Sequence, residues 1–273
     1  MYTSRDRVNW NREAKYFYYP HGPLARVELG HDKVQGTDYA YTLQGWLKGV
    51  NSQTLVSSRD IGKDGNSGLH NYIPNDAMGL SLHYYSGDYS AIGTLGNDHF
   101  LAENNLINPS GAQHSQLYNG NISAMVTTIR DLDPQGNFGQ ALPRLNQYKY
   151  DQLNRLVDMA SFEDANLGAT NAWNISGQTD VKYKTHYDYD KNGNIVHLDR
   201  NGLSPFDNMD YVYNTDANEE LNNNRLRYVT DLVSSTVHDN DIDNQVMGNY
   251  VYDALGNLIY DQSEGIINID WNA

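Results

Sequence analysis

No cysteine occurs in the 273 residues. Disulfides, thiolate metal sites and cysteine nucleophiles are therefore excluded, while the redox compartment stays open. Lys and Arg number 19 against 34 Asp and Glu, a net charge of −15. Phosphate backbones and anionic membrane surfaces are bound by clustered cations, so neither nucleic acid nor a membrane is an expected partner. The acidity reads instead as solubility of a large surface. Proline is scarce, with 7 copies, which excludes a proline-rich linker. Hydrophobic residues make up 39%, and the mean hydropathy is −0.70. No run approaches the roughly 18 apolar residues of a membrane-spanning helix. Met1 to Trp10 contains no apolar core of a secretion signal. No glycine-rich phosphate loop joins a strand to a helix.

What is present compensates for the missing aliphatics. Tyrosine occurs 22 times against 5 Phe and 4 Trp. Tyr buries a large apolar body while its hydroxyl reaches water or a polar partner, which suits a thin, extended sheet. The 23 Gly, with many Asn, indicate frequent tight turns. Few windows carry a 3.6-residue apolar period, so the chain reads as predominantly β.

One stretch states the local rule. Tyr187 and Tyr189 stand two apart, the strand period, and share a face. Asp190 to Asn194 is a turn cluster in which Gly193 tolerates positive φ. Ile195 to Leu198 reads as the returning strand, and Asn201-Gly202 as a second turn. The same grammar recurs at Tyr250, Tyr252, Asp253, Gly256 and Asn257, and again at Tyr148, Tyr150, Asp151 and Asn154. Asn154 stands where the others have Gly, and Asn is the non-glycine residue that best tolerates the left-handed region. Tyr211 and Tyr213 open a fourth copy with an expanded turn, closing at Asn224 to Val229.

These residues resemble the YD repeat of the RHS-repeat proteins and their teneurin relatives. Three further blocks are similar to RHS proteins of Bacteroidetes type: Asp38 to Asn51 (with its Gly-Trp-Leu-Lys-Gly-Val-Asn), Asp76 to Tyr85, and Leu117 to Ser123. The resemblance covers about 147–273 well and the N-terminal half weakly. It implies an array of YD hairpins forming a long curved or spiralling antiparallel sheet, part of a cocoon-like shell around a C-terminal, toxin-like domain. It also implies a secreted or cell-surface location. Under that reading the chain is a piece of a longer polypeptide. Its partners are the remainder of that polypeptide and the enclosed domain.

Along the chain, residues 1–50 hold two degenerate repeats, at Tyr16 to Leu29 around Gly22 and at Asp38 to Val50 around Gly45. Residues 51–115 break the pattern as an irregular, loop-rich insertion, with Leu80 to Tyr85 as one good strand. Residues 116–273 carry the main array. Asn121 to Ile129 reads as a strand, Leu132 to Asn137 as a turn and Asp158 to Asp180 as an irregular connection. Aromatic openings 23 residues apart at Tyr16 and Tyr39, and 24 apart at Tyr189 and Tyr213, give a unit of stacked-repeat size. Glu219 to Asn224 could start a short helix, but three consecutive Asn argue against it.

Four candidate chemistries stand against simpler readings. Asp188, Asp190, Asn192, Gly193 and Asp199 match a calcium-loop pattern, yet both flanks alternate with period two where an EF-hand has helices. Asp64 to Gly68 has the glycine-rich surroundings of a serine nucleophile without a definite partner. His83, His186 and His197 lie on expected strands without metal-ligand spacing. Glu219 and Glu220 could serve glycosidic acid–base catalysis, a pairing common in acidic β proteins. The expected function is a non-enzymatic scaffold without cofactor or metal. The alternatives are a cell-surface adhesion or glycan-binding module, with Trp46, Trp173 and Trp271 facing solvent, and a polysaccharide-acting enzyme. The strand at Tyr250 to Tyr260 is expected to be an open edge through which copies could associate.

Overall fold

The structure is a computed structural model that describes residues 1–65, 70–91, 99–100, 116–131, 142–163, 167, 182–216, 218, 220–234 and 242–272. The regular elements among them are strands: β1 (Tyr2–Thr3), β2 (Asn11–Arg12), β3 (Ala14–Tyr18), β4 (Leu24–Leu29), β5 (Gln35–Tyr41), β6 (Leu47–Val50), β7 (Met78–His83) and β8 (Ala124–Ile129). They continue with β9 (Arg144–Tyr150), β10 (Leu156–Glu163), β11 (Thr185–Tyr189), β12 (Ile195–Asn201), β13 (Pro205–Thr215), β14 (Leu221–Asp231), β15 (Tyr250–Tyr252) and β16 (Leu258–Asp261). The fold is all-β. Strands β3 to β14 form one antiparallel sheet whose strand order is the chain order, and β15–β16 form a separate hairpin. Two compact units are distinguished, residues 1–148 with 161–179, and residues 149–160 with 180–273.

In the first unit β7 and β8 show plain alternation of burial, and their register runs unbroken from Met78 opposite Ile129 to His83 opposite Ala124. Ala124, Val126 and Leu145 are fully buried, and Ile73 and Tyr84 in the connections are buried too. Among the described residues the buried polar and charged side chains outnumber the buried apolar ones. Low hydrophobic content thus reappears as a polar core whose order depends on hydrogen bonds and ion pairs.

In the second unit the sheet has two chemically distinct faces. Leu198, Met209 and Val229 form its buried cluster, with Tyr187, Ile195, Tyr211, Leu226 and Tyr250 packed against them. The opposite face carries Asp158, His186, Asp188, His197, Asp199 and Asp210. Direct cross-strand pairing sets Asp158 against His186, Asp188 against His197, and His197 against Asp210.

Several expectations need amendment. Asp158 to Glu163 belongs to β10 rather than to an irregular connection, because Asp158 is held in the ladder opposite His186. The returning strand after Tyr189 runs on to Asn201, three residues beyond Leu198. Leu221 to Asn224 is strand, the opening of β14. The open edge expected at Tyr250 to Tyr260 is covered: Asp261 and Ile266 exchange main-chain hydrogen bonds, and the Ile269 N–H donates to the Ile259 carbonyl at 3.0 Å. The turn at Leu132 to Asn137, residues 66–68 of the glycine-rich stretch, Trp173 and Glu219 lie outside the described residues.

Candidate functional site: the stacked hairpin turns

Four hairpins share one register. Tyr16 faces Val27, Tyr39 faces Val50, Tyr187 faces Leu198 and Tyr250 faces Asp261. The second aromatic then skips a bulge to meet an aliphatic residue: Tyr18 with Leu24, Tyr41 with Leu47, Tyr189 with Ile195 and Tyr252 with Leu258. The turn between them places Gly22, Gly45, Gly193 and Gly256 at φ of 112°, 83°, 91° and 96°. Asn154 takes the same place in the hairpin of Tyr150, at φ 62°. A side chain with a branched β-carbon would be strained there.

The aspartate after the second tyrosine builds each turn. Asp190 Oδ1 accepts the N–H groups of Asn192 and Asn194, both at 2.8 Å, and Oδ2 accepts the Asn194 side-chain amide at 2.7 Å. Asp253 repeats this set with Leu255 and Asn257, and Asp151 with Leu153 and Arg155. The Asp253 carboxyl is held below the usual carboxylate range by the Asn257 side chain and main chain, and Asp151 by the Arg155 N–H. For Asp190 desolvation is the largest single influence and acts upward, but the donors of Asn194, Asn192 and Gly193 together outweigh it and lower the pKa. The calcium-loop pattern is thus a hairpin turn, with Asp188 on the opposite face against His186.

The expanded fourth copy keeps the same turn further out. Asp216 accepts from Asn218 and Glu220 at 2.8 and 2.9 Å, and Thr215 faces Leu221. Within β14 the register then shifts, so that Asn222 to Arg225 are passed as a bulge before Leu226 meets Tyr213. Asp216 was not singled out in the sequence; its spacing from Tyr213 hides the equivalence, although its Asp-x-Asn step is visible. Glu220, the described half of the proposed catalytic pair, donates its N–H to this turn.

Successive hairpins are joined by their tyrosines. Tyr189 donates its hydroxyl to the Leu156 carbonyl at 2.7 Å, and Tyr213 donates to the Ile195 carbonyl at 3.0 Å. The Tyr252 hydroxyl meets the Leu226 backbone. Burial raises the pKa of all three phenols, so they stay protonated at neutral pH. Arg155 lies 4.5 Å over the Tyr189 ring and donates to the Asp190 carbonyl at 3.2 Å. In the next step Asn224 accepts from the side chains of Asn192 and Asn194. Among the remaining repeat positions, Tyr148 and Tyr150 lie on β9, Tyr211 packs on the apolar cluster, and Tyr250 accepts from Gln245.

Two buried networks in the first unit were not anticipated as clusters. Lys48 forms an ion pair with Asp88 at 2.8 Å and lies 3.2 Å from His83 Nδ1. An ammonium can only donate, so Nδ1 accepts and the imidazole proton sits on Nε2, which faces Ser81 Oγ at 2.8 Å. Ser81 donates its own hydroxyl to Gln53 Oε1 at 2.6 Å. The histidine is a donor to this serine, the reverse of nucleophile activation, and both side chains are fully buried. Strand alternation at Ser81 and His83 was the available signal.

The second network surrounds Arg26. Its guanidinium pairs with Asp38 and, at 2.6 Å, with Asp64, and Glu28 lies 3.8 Å away. Asp60 accepts the N–H groups of Gly62 and Asp64 at 3.0 and 2.6 Å and shares a hydrogen bond with Asp76. Asp76 also accepts from Gln35 at 3.1 Å. Lys33 lies 3.5 Å from Glu28, and His70 lies 3.9 Å from Asp64. Burial pushes Asp38 up to about 7 despite Arg26, and burial with the charges of Asp60, Asp64 and Asp38 pushes Asp76 up to about 8. Gly36 and Gly62 lack side chains because a β-carbon at either would overlap the guanidinium. Asp64, part of the supposed nucleophile loop, is thus a buried ion-pair residue.

Among the described residues no group of His, Asp and Glu is arranged to hold a metal ion, and no helix is long and apolar enough to cross a membrane. His186 and His197 each stand between two aspartates, and Asp210 holds the His197 pKa above its ordinary value. Trp46 packs on Tyr84 at 5.0 Å, whereas Trp271 is exposed with its indole N–H on the Leu258 carbonyl. No protein-family model and no curated protein matches the chain.

Proposed function

We propose that this chain is a structural, non-enzymatic segment of an RHS-type shell, a wall of stacked hairpins that encloses or displays a C-terminal, toxin-like domain outside the cell. The observation that carries the reading is the tyrosine that two successive hairpins of the second unit, at Tyr189 and Tyr213, set on a main-chain carbonyl of the one before. A hydrogen bond to a backbone carbonyl asks nothing of the neighbour's side chain, so units can be added while their sequences drift. Tyr, Asp, Gly and Asn at the repeat positions are all consumed by this architecture. The polar constellations support the same reading. The Ser81–His83 pair is buried and wrongly polarised for attack, and the acid cluster is closed around Arg26.

The test is the reading frame downstream of Ala273, expressed intact. The expected result is further Tyr-x-Tyr hairpins leading to an unrelated terminal domain that resists protease until the hairpins unfold. A frame that stops there behind its own secretion signal would overturn the proposal. So would polysaccharide cleavage or specific glycan binding by the chain alone.

A further inference from the structure

The tyrosine contacts in the second unit follow a rule. The acceptor is the carbonyl of the aliphatic residue that opens the preceding hairpin's returning strand: Leu156, then Ile195. By that rule the acceptor offered by the last hairpin is the Leu258 carbonyl. It is already taken, because Trp271 Nε1–H donates to it at 2.8 Å. The chain reaches this position by turning at Gly265 and laying Ile266 to Trp271 along the free edge of β16. Asp261 N–H to Ile266 carbonyl is 3.0 Å, and the return bond is 2.9 Å. The segment lies where a following strand would lie, and an indole stands in for the phenol.

The complementary end is β3, the terminal strand of the twelve-stranded sheet. It carries Tyr16 and Tyr18 in the same register as Tyr187 and Tyr189. Tyr18 is 63% exposed, and its hydroxyl has no hydrogen-bond partner among the described residues. Strand β3 therefore presents a tyrosine hydroxyl with no partner among the described residues, and β16 presents an acceptor edge closed by residues 266–271 of its own chain.

We infer that the β16 edge, with the Leu258 carbonyl, is an acceptor site for the Tyr16–Tyr18 strand of a second copy of this chain, and that residues 266–271 close it in cis. The strap wins at ordinary concentrations because a tethered segment acts at millimolar effective concentration. Donor and acceptor are different strands, so the contact is heterologous, and opened copies add head to tail beyond the dimer. The inference stands on the hydrogen-bond pattern and needs no enclosed domain.

Sedimentation velocity of the 273-residue chain, from about 1 to 200 μM, tests it. The unaltered chain is expected to stay monomeric. Trp271→Ala, and a chain lacking 266–273, should form dimers and larger species that grow with concentration. A synthetic peptide spanning 264–272 should return them to monomer. Adding Tyr18→Phe to Trp271→Ala removes one hydroxyl and should weaken association up to about tenfold. Circular dichroism confirms that each variant is folded; Trp271 is exposed, so its replacement leaves the hairpins intact. Folded variants that remain monomeric throughout would overturn the inference. Oligomers that ignore both the peptide and Tyr18→Phe would also overturn it.

Discussion

The carboxyl cluster around Arg26 should make the first unit's stability fall as pH rises from 5 to 7, opposite to the trend set by ordinary paired carboxylates. Asp76 and Asp38 are pushed up to about 8 and about 7, whereas the same groups in the unfolded chain titrate near 3.8. A raised folded-state pKa means that the folded form binds the proton more tightly. The stabilisation is complete below the unfolded pKa and is lost as pH climbs toward the folded one. Each carboxyl that retains its proton lowers the unfolding free energy by about 1.4 kcal/mol per pH unit in that window. Two such groups give a fall on the order of 3–5 kcal/mol between pH 5 and 7. The turn aspartates do not mask it: their lowered pKa values place their contribution above the unfolded pKa, constant from pH 5 upward. Urea denaturation at pH 5, 6, 7 and 8, with hydrogen exchange read at β4 and β5, measures the slope. Asp76→Asn supplies a permanent amide donor to Asp60 in place of the proton. It should be more stable than the unaltered chain at pH 8 and should lose about half the slope. A flat or rising profile in the unaltered chain, or an unchanged slope in Asp76→Asn, would refute the reasoning.

Other perturbations address the hairpins of the second unit. Tyr213→Phe removes the donor to the Ile195 carbonyl and should cost about 0.5–1.5 kcal/mol in chemical denaturation; an unchanged midpoint would deny the lock. Asp190→Ala frees two main-chain N–H groups at a largely exposed turn, and with solvent screening the expected loss is about 1 kcal/mol. Gly193→Val forces a β-branched residue to positive φ and should destabilise more than Gly193→Asn, which Asn154 shows the same turn accepts. By NMR, His197 should titrate above the ordinary histidine value, since Asp210 favours its charged form, and Asp210→Asn should bring it down. Its contribution to stability is complete below the unfolded pKa and disappears as pH rises through the folded one.

The hairpins were legible because their causes are local. Period two, a turn aspartate, a residue tolerant of positive φ and an aliphatic return all lie within about a dozen residues. The second aromatic, the turn residue and the returning aliphatic could therefore be named before their contacts were seen. The tyrosine lock was not legible, because its acceptor is a main-chain carbonyl and leaves no side-chain signature. Nor was the Arg26 cluster, which gathers Glu28, Asp38, Asp60, Asp64 and Asp76 from two strands and a loop. In sequence those acids are indistinguishable from the surface carboxylates of an acidic protein. The strap at 266–271 was missed for a related reason: its pairing with β16 follows a turn at Ser263 to Gly265 that carries no strand pattern of its own.

Because sheet order is chain order, no strand from β3 to β14 waits for a partner made much later. Loop-closure entropy is met in small instalments, and each hairpin can form on an edge that already exists. A polypeptide of this kind can acquire its structure in the direction in which it is delivered, whether from the ribosome or through a narrow pore.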